Sequence, residues 1–461
     1  MELTNILAKH IINSTFEDIP QQAVEGTKQI VLDQLAVALA GSNADGAVEV
    51  VEEVIGWGGK AESAIWVYGN KVPVAHAAFA NSVMSHAWDF DDTHIPSICH
   101  CGVVTVPPAF ALAECRGKIK GKEFITAVNV GMDVQVRLSM GSTAAFGQGW
   151  HPTAVFGGFG CGATAGRLLA LSEKELINAF GLIYSQTCGN LQCIEDGALS
   201  KRLQPGFVTK AALNAVALAK RGVTGAHNVF EGKYGLYPLY VEGKYEKKVI
   251  ISELGKQFET SNLTIKPHPG CILAQPFESA LVSFVTENDL KPEEVEYVTV
   301  HCGTKSYTVP GSPVKIEPHT IVDAQFSMYY KVANAIVRRQ STVAEYTEEA
   351  VRDPKILDLA KRVKLKLAPE YDTELHTESG GKLEIKTNRR KEIFSIDVGS
   401  HKGTPENPMT WEDLGEKLRS CAATSAKPIP EGNVDRLVET VQHLENVEDV
   451  TQIVNLVVAR I

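Results

Sequence analysis

The chain has 461 residues, 44% of them hydrophobic and 22% charged, which is enough for two or three domains with sizeable cores and excludes global disorder. Its net charge of −10 would repel a polyphosphate, so a nucleic-acid partner is not expected, although a few converging lysines would still hold a small anion. No apolar run reaches the roughly 18 residues of a membrane span, the N-terminus carries Glu2 and lacks the apolar core of a signal peptide, and nine cysteines without a CxxC pair suit a reducing cytoplasm.

In chain order, Pro20 to Gly41 reads as an amphipathic helix, with Val24, Val31, Leu35 and Ala38 at helical spacing and Gly41 as its cap. Val48–Ile55 suggests a short helix, Ala64–Tyr68 an extended piece, and Pro73–Trp88 a strong helix rich in alanine. Helices follow at Lys122–Gly141, Gly162–Leu171, Glu173–Ile183 and Thr209–Gly222. Gly160 to Gly166 superficially resembles a dinucleotide fingerprint, but no strand precedes it, so it reads as a small-residue packing face. The character changes near residue 265. Val295–Cys302, Val363–Ala368, Lys382–Thr387 and Glu392–Val398 alternate like strands, the last two joined by a turn at Asn388–Arg390, and Val322–Arg338 and Pro354–Val363 read as helices. Helical periodicity returns at Trp411–Cys421 and Asn433–Leu444. The expected architecture is mostly α: an all-helical domain from residues 1–265 and 405–461, with a smaller α+β domain, 266–404, inserted between its parts.

Four stretches carry candidate chemistry. SHAWDFDDTHIPSICH, Ser85 to His100, packs His86, Asp89, Asp91, Asp92, Thr93, His94 and His100 into the end of an apolar helix and a loop. A divalent metal site, a metal-free acid–base site and simple capping with solvated charges all fit that composition. His151 stands between Trp150 and Pro152 at a glycine-flanked helix start, where a structural and a catalytic histidine are equally consistent. Lys201, Arg202 and Lys210 flank a Pro205–Gly206 turn expected to open a helix, an arrangement that favours anions. The apolar AALNAVALA after Lys210 marks it as the better buried lysine. Lys266 and His268 lie in the proline-stiffened Ile265–Cys271 at the junction of the two regions, either as a rigid linker or as side chains pointing into a cleft.

Together these stretches resemble the MmgE/PrpD family over nearly the whole chain. The resemblance rests on HAWDFDDTH at His86–His94, GWHPTAVFG at Gly149–Gly157, KRLQPGFVTKAAL at Lys201–Leu213 and EGKYGLY at Glu231–Tyr237. It continues through KPHPGC at Lys266–Cys271, DAQFSMYY at Asp323–Tyr330 and KGTPENPMTWEDL at Lys402–Leu414. It implies that the α+β insertion is a lid, that the chain forms a homodimer, and that the site lies between the domains with no metal or organic cofactor. By motif, the pocket of decarboxylase relatives matches Asp89, Thr93, His100, His151, Lys210, Lys266 and Tyr330. Many members follow the Lys-Pro segment with Cys-Arg and a Thr-His pair, where this chain has Cys271, Ile272, Ala274 and Gln275, so a bidentate carboxylate clamp and a proton carrier are missing.

The implied chemistry is a lyase reaction beside a carboxylate of a small di- or tricarboxylic acid. Dehydration of a 2-methylcitrate-like hydroxy acid is the first expectation, with epimerisation of an iminodisuccinate-like acid or decarboxylation of cis-aconitate as alternatives. Lys210 and Lys266 are expected on carboxylates and developing negative charge, with Lys201, Arg202 and His268 as further substrate ligands. His100 and His151 are expected to carry protons, Asp89 to orient a histidine or bind a hydroxyl, and Thr93 and Tyr330 to supply hydrogen bonds. From other classes, a metal-dependent hydrolase built on the His86–His100 cluster and a non-catalytic ligand-binding protein are the competing expectations.

Overall fold

The computed structural model describes residues 2–142, 144–372, 380–388, 393–430 and 432–459. The first region is built from α1 (Leu3–Asn13), α2 (Gln21–Gly41), α3 (Ala47–Trp57), α4 (Val74–His86), α5 (Gly102–Arg116), α6 (Gly121–Met140), α7 (Pro152–Leu168), α8 (Glu173–Tyr184) and α9 (Ser200–Lys220). Its only ladder among the described residues pairs two residues of β1 (Ser63–Ala64) with two of β2 (Lys71–Val72). α4 and α7 both pack on α9, and α6 lies on α7. Small residues permit the closest approach. A Cβ on Gly160 of α7 would fall 2.8 Å from the carbonyl oxygen of Gly131 of α6, so the glycine-rich stretch serves packing, as its sequence context indicates.

Three helix readings change. The helix expected at Gly162–Leu171 is the second half of α7, which starts at Pro152. α5 carries Pro107 and Pro108, which hide its pattern in the sequence. Asp92 holds its start, accepting from the backbone N–H groups of Cys101 at 3.1 Å and Gly102 at 3.0 Å. α9 begins at Ser200, not after a Pro205–Gly206 turn. Pro205 removes one backbone donation, to the carbonyl of Lys201, close enough to the helix start for the helix to run through it. Lys201 therefore stands on the first turn of a helix rather than in a loop.

The second region centres on a sheet of order β4–β3–β5–β6. β3 (Val295–Cys302) pairs parallel with β4 (Val363–Leu367) and antiparallel with β5 (Gly381–Thr387), which pairs antiparallel with β6 (Ile393–Val398). β5 alternates between buried and half-buried side chains, and α10 (Gln275–Glu287) and α11 (Met328–Arg338) pack together against the sheet. The helix expected at 322–338 is two, Ile321–Gln325 and α11. Ser327 separates them and caps α11 by accepting from the N–H of Tyr330. Arg389, Arg390 and Glu392 of the expected hairpin lie outside the described residues. α12 (Trp411–Ala423) and α13 (Asn433–Gln442) return to pack on α2, so both chain ends build the helical domain and the α+β unit is an insertion. Among the described residues no helix is long and apolar enough to cross a membrane.

Candidate active site

α4 ends at His86, and Asp89 follows with φ of 49°, a left-handed conformation uncommon in side-chain-bearing residues but tolerated by aspartate. Two contacts pin this turn through the Asp89 carbonyl, which accepts from Lys266 Nζ at 2.9 Å and from the Gly270 N–H at 3.1 Å. The loop is thereby folded across the starts of α7 and α9, and His86, Asp89, Asp91 and His100 are brought to one place.

Lys201 Nζ lies 2.8 Å from Asp89 Oδ1 and 2.9 Å from His86 Nε2. An ammonium only donates, so His86 Nε2 accepts, and Nδ1 carries the ring proton and donates to Asp91 Oδ2 at 2.9 Å. Burial pushes the His86 imidazole down to about 4, against the pull of Asp91 and with the help of Lys201. Burial pushes Asp89 upward, but Lys201, Lys266 and two histidines outweigh it and hold this carboxyl well below the usual range. Asp91 is likewise raised by burial and held low overall by His100 and His86. Lys266 Nζ is 3.4 Å from Asp89 Oδ2, and burial lowers its ammonium.

His100 sits between two carboxylates, with Nδ1 3.2 Å from Asp91 Oδ2 and Nε2 3.4 Å from Asp89 Oδ1. Thr93 Oγ1 stands 3.4 Å from Nδ1. His151 immediately precedes α7, with Nδ1 2.9 Å from Gln204 Oε1. Gln204 Nε2 donates to the Asn190 carbonyl at 2.8 Å, so its Oε1 must accept, and His151 holds its proton on Nδ1 and a lone pair on Nε2. Burial, then Lys201 and the other histidines, push this imidazole well below its ordinary value. The rings of His86 and His100 are 4.7 Å apart and those of His86 and His151 6.1 Å apart.

Asp89, Thr93, His100, His151, Lys201 and Lys266 line one cavity enclosing about 690 Å³, open solvent at its mouth included. The inserted domain contributes Lys305, Val309 and Phe326, and Ile95, Ile98, Ile272 and Leu273 complete an apolar wall. Four expected residues stand elsewhere. Lys210 lies nine positions beyond Lys201 on α9, which at about 100° per residue puts it on the opposite face. Its ammonium stands 4.0 Å from the centre of the Trp57 ring, so the lysine that enters the cavity is Lys201. Tyr330 is fully buried inside the inserted domain, where its hydroxyl donates to the Glu345 carbonyl at 2.7 Å. Arg202 donates to the Asp45 carbonyl at 2.5 Å, and His268 is held 3.0 Å from the Ser341 carbonyl and 3.0 Å from Ser279 Oγ. His86 and Asp91 were visible only as members of a polar cluster, and nothing in the sequence pattern singled out Lys305 or Phe326.

Ligand atoms of His86, Asp89, Asp91 and His100 lie within 4.8 Å of one another, close enough to surround an ion. The donor set does not suit one. Two ammonium groups already occupy Asp89, and His86 Nδ1 carries a proton that donates to Asp91. A divalent ion would have to displace both lysines from a site that is satisfied without it.

Residues 5–248 match the MmgE/PrpD N-terminal domain and residues 268–444 the MmgE/PrpD C-terminal domain. The chain is 26% identical to a cis-aconitate decarboxylase of Aspergillus terreus (strain NIH 2624 / FGSC A1156), the match covering 96% of this chain and 93% of that protein. It is 25% identical to the cis-aconitate decarboxylases of Mus musculus, over 94% of this chain and 88% of the relative, and of Homo sapiens, over 95% and 91%. With both domain matches in order along one fold, this chain belongs to the MmgE/PrpD family.

Proposed function

We propose that the protein is a carboxy-lyase that removes carbon dioxide from a small unsaturated di- or tricarboxylic acid and returns a proton to the remaining carbon skeleton, with no cofactor in the chemistry. The observation that carries this reading is the convergence of Lys201 and Lys266 on Asp89, with His100 and His151 on the same cavity. Decarboxylation of such an acid sends an electron pair from the breaking carbon–carbon bond into the alkene, whose far carbon then takes a proton. The lysines suit the carboxylate that stays and the charge that builds beside it. An apolar wall suits the carboxylate that leaves as a neutral molecule. His100, flanked by two carboxylates, is the proton donor in this scheme, and neutral His151 is the second carrier.

The names of the relatives favour this decarboxylase reading over dehydration of a 2-methylcitrate-like acid, the first expectation from sequence. The division into 1–265 with 405–461 and a lid at 266–404 belongs to the proposal, since the cavity takes side chains from both parts, and so does a homodimer. The test is proton NMR in deuterated water with cis-aconitate, 2-methylcitrate and iminodisuccinate. Carbon dioxide release with one deuterium in the product supports the reading. Alkene formation from 2-methylcitrate alone, or deuterium exchange without change of skeleton, overturns it in favour of a dehydratase or an epimerase.

A further inference from the structure

The cavity narrows the substrate beyond this reading. Its polar end carries Lys201 and Lys266 against the single carboxylate of Asp89, and Asp91 is matched to His86 and His100. That end holds at most one positive charge in excess, enough for no more than one substrate carboxylate. The third ammonium on the lining is Lys305, from the short helix Thr304–Thr308 of the inserted domain, and among the described residues no arginine lines the cavity. The cations on the wall can therefore match two carboxylates at most. Apart from Thr93, His151 and Cys271, the remaining wall is hydrocarbon, including Ile95, Ile98, Ile272, Leu273, Val309 and Phe326. A carboxylate laid against those side chains loses its hydration and meets no donor, whereas an alkyl or aryl group placed there leaves water for a matching surface.

Resting on the carboxy-lyase reading above, we propose that the substrate is an unsaturated dicarboxylate bearing a short alkyl or aryl arm, and that the arm occupies the position where a tricarboxylate would carry its third charge. The arm lies along Ile272, Leu273 and Phe326, and the retained carboxylate lies on Lys201 and Lys266. The reaction balances as before. The bond from the methylene carbon to the leaving carboxylate breaks, and its electron pair forms the new alkene. The old alkene pair takes one proton at the carbon next to the retained carboxylate.

The test compares cis-aconitate with pent-2-enedioates in which methyl, propyl or phenyl replaces the central carboxylate. Carbon dioxide release and calorimetric binding are measured with the full chain. The expected result is a kcat/KM for the propyl compound at least about tenfold above that for cis-aconitate, a ratio that the Ile272→Arg variant reverses. Where Ile272→Arg does not fold, Ile272→Gln is expected to narrow the ratio in the same direction. A higher kcat/KM for cis-aconitate than for every substituted diacid overturns the apolar arm and leaves the carboxy-lyase reading standing. Tighter calorimetric binding of the propyl diacid with no carbon dioxide from any compound supports the arm and overturns the reaction. Neither release nor preferential binding overturns both.

Discussion

Lys201 and Asp89 meet at 2.8 Å across 112 positions of sequence, and neither side chain has significant access to solvent. The contact joins the first turn of α9 to the strained turn after α4, and it places the ammonium between a carboxylate and His86 Nε2. Lys201→Met removes the charge that holds Asp89 and, in the proposed reaction, a substrate carboxylate. It is expected to lower kcat/KM by about 10²-fold or more, a magnitude typical of losing a preorganised electrostatic contact. Lys210→Met, on the far face of the helix, is expected to stay within about twofold of the parent, as surface changes away from a site do. Steady-state kinetics on the two variants decide which lysine serves the reaction, and equal losses would remove the distinction drawn from the helix geometry.

The tautomer of His86 has a consequence for acid stability. Its imidazole is near 4 in the folded chain, lowered first by burial, against an unfolded value of about 6.5. Between those values the unfolded chain binds more protons, so stability rises with pH there and falls as pH drops from about 6.5 toward 4. Above about 6.5 this group has no effect, and between pH 7 and 5 the loss is roughly 2 kcal/mol. Urea melts at pH 7 and pH 5 are expected to show a smaller pH-dependent loss in His86→Gln than in the parent. An unchanged loss would mean that protonation elsewhere governs the acid limb.

His151 depends on Gln204 for the position of its proton. His151→Gln is expected to lower turnover by about 10²-fold or more if the ring carries a proton in the reaction. Gln204→Leu keeps the imidazole and removes the acceptor that holds its proton on Nδ1. That hydrogen bond favours the charged ring, so its loss lowers the imidazole further and moves the acid limb of the rate profile to lower pH. The expected signature is a fall in kcat of about tenfold with KM little changed, since binding through Lys201 and Lys266 is untouched. A Gln204→Leu profile that superimposes on the parent would assign the contact to packing alone.

The legible parts of the sequence are those with uninterrupted periodicity. Pro20–Gly41 and Trp411–Cys421 show an apolar spacing that needs no tertiary information, and β5 alternates cleanly. α5 and the start of α9 contain prolines that local rules treat as breaks, and only packing and the cap supplied by Asp92 make them helical. At the site, the loop from His86 to His100 was legible because titratable groups crowd an apolar helix end. The choice between Lys201 and Lys210 was not, because it turns on where α9 begins and hence on which face each lysine occupies. Tyr330 was expected at the cavity by resemblance, whereas the hydrogen bond to the Glu345 carbonyl turns it into the inserted domain.

The four-residue cluster of His86, Asp89, Asp91 and His100 makes a direct prediction about metals. Its carboxylates are already matched by Lys201, Lys266 and the two imidazoles, so turnover is expected to survive a millimolar chelator without loss. Added zinc or manganese is expected to leave the rate unchanged or lower it by competing with the lysines for Asp89. Activity abolished by chelator and restored by one divalent ion would assign the cluster to metal and revive the hydrolase alternative.

Behind the cavity, Lys417 of α12 ties its two halves together. Its ammonium lies 2.6 Å from Asp33 Oδ1, 2.9 Å from the Phe90 carbonyl and 2.8 Å from the Lys266 carbonyl, and 3.7 Å from the centre of the Phe90 ring. The backbone beside Asp89 and the backbone of Lys266 are thus fixed to one buried charge from the C-terminal part of the chain. Lys417→Met strands the Asp33 carboxylate, which burial already pushes upward against the pull of Lys417, and it frees both carbonyls. Breaking a buried pair on one side costs about 3–5 kcal/mol, whereas replacing both partners by apolar groups is often close to neutral. Lys417→Met is therefore expected to unfold at markedly lower urea concentration than the parent, and Asp33→Leu/Lys417→Met to recover most of that loss. Recovery of stability without recovery of kcat/KM in the double variant would identify Lys417 as a positioning residue for Lys266. Full recovery of both would confine it to stability.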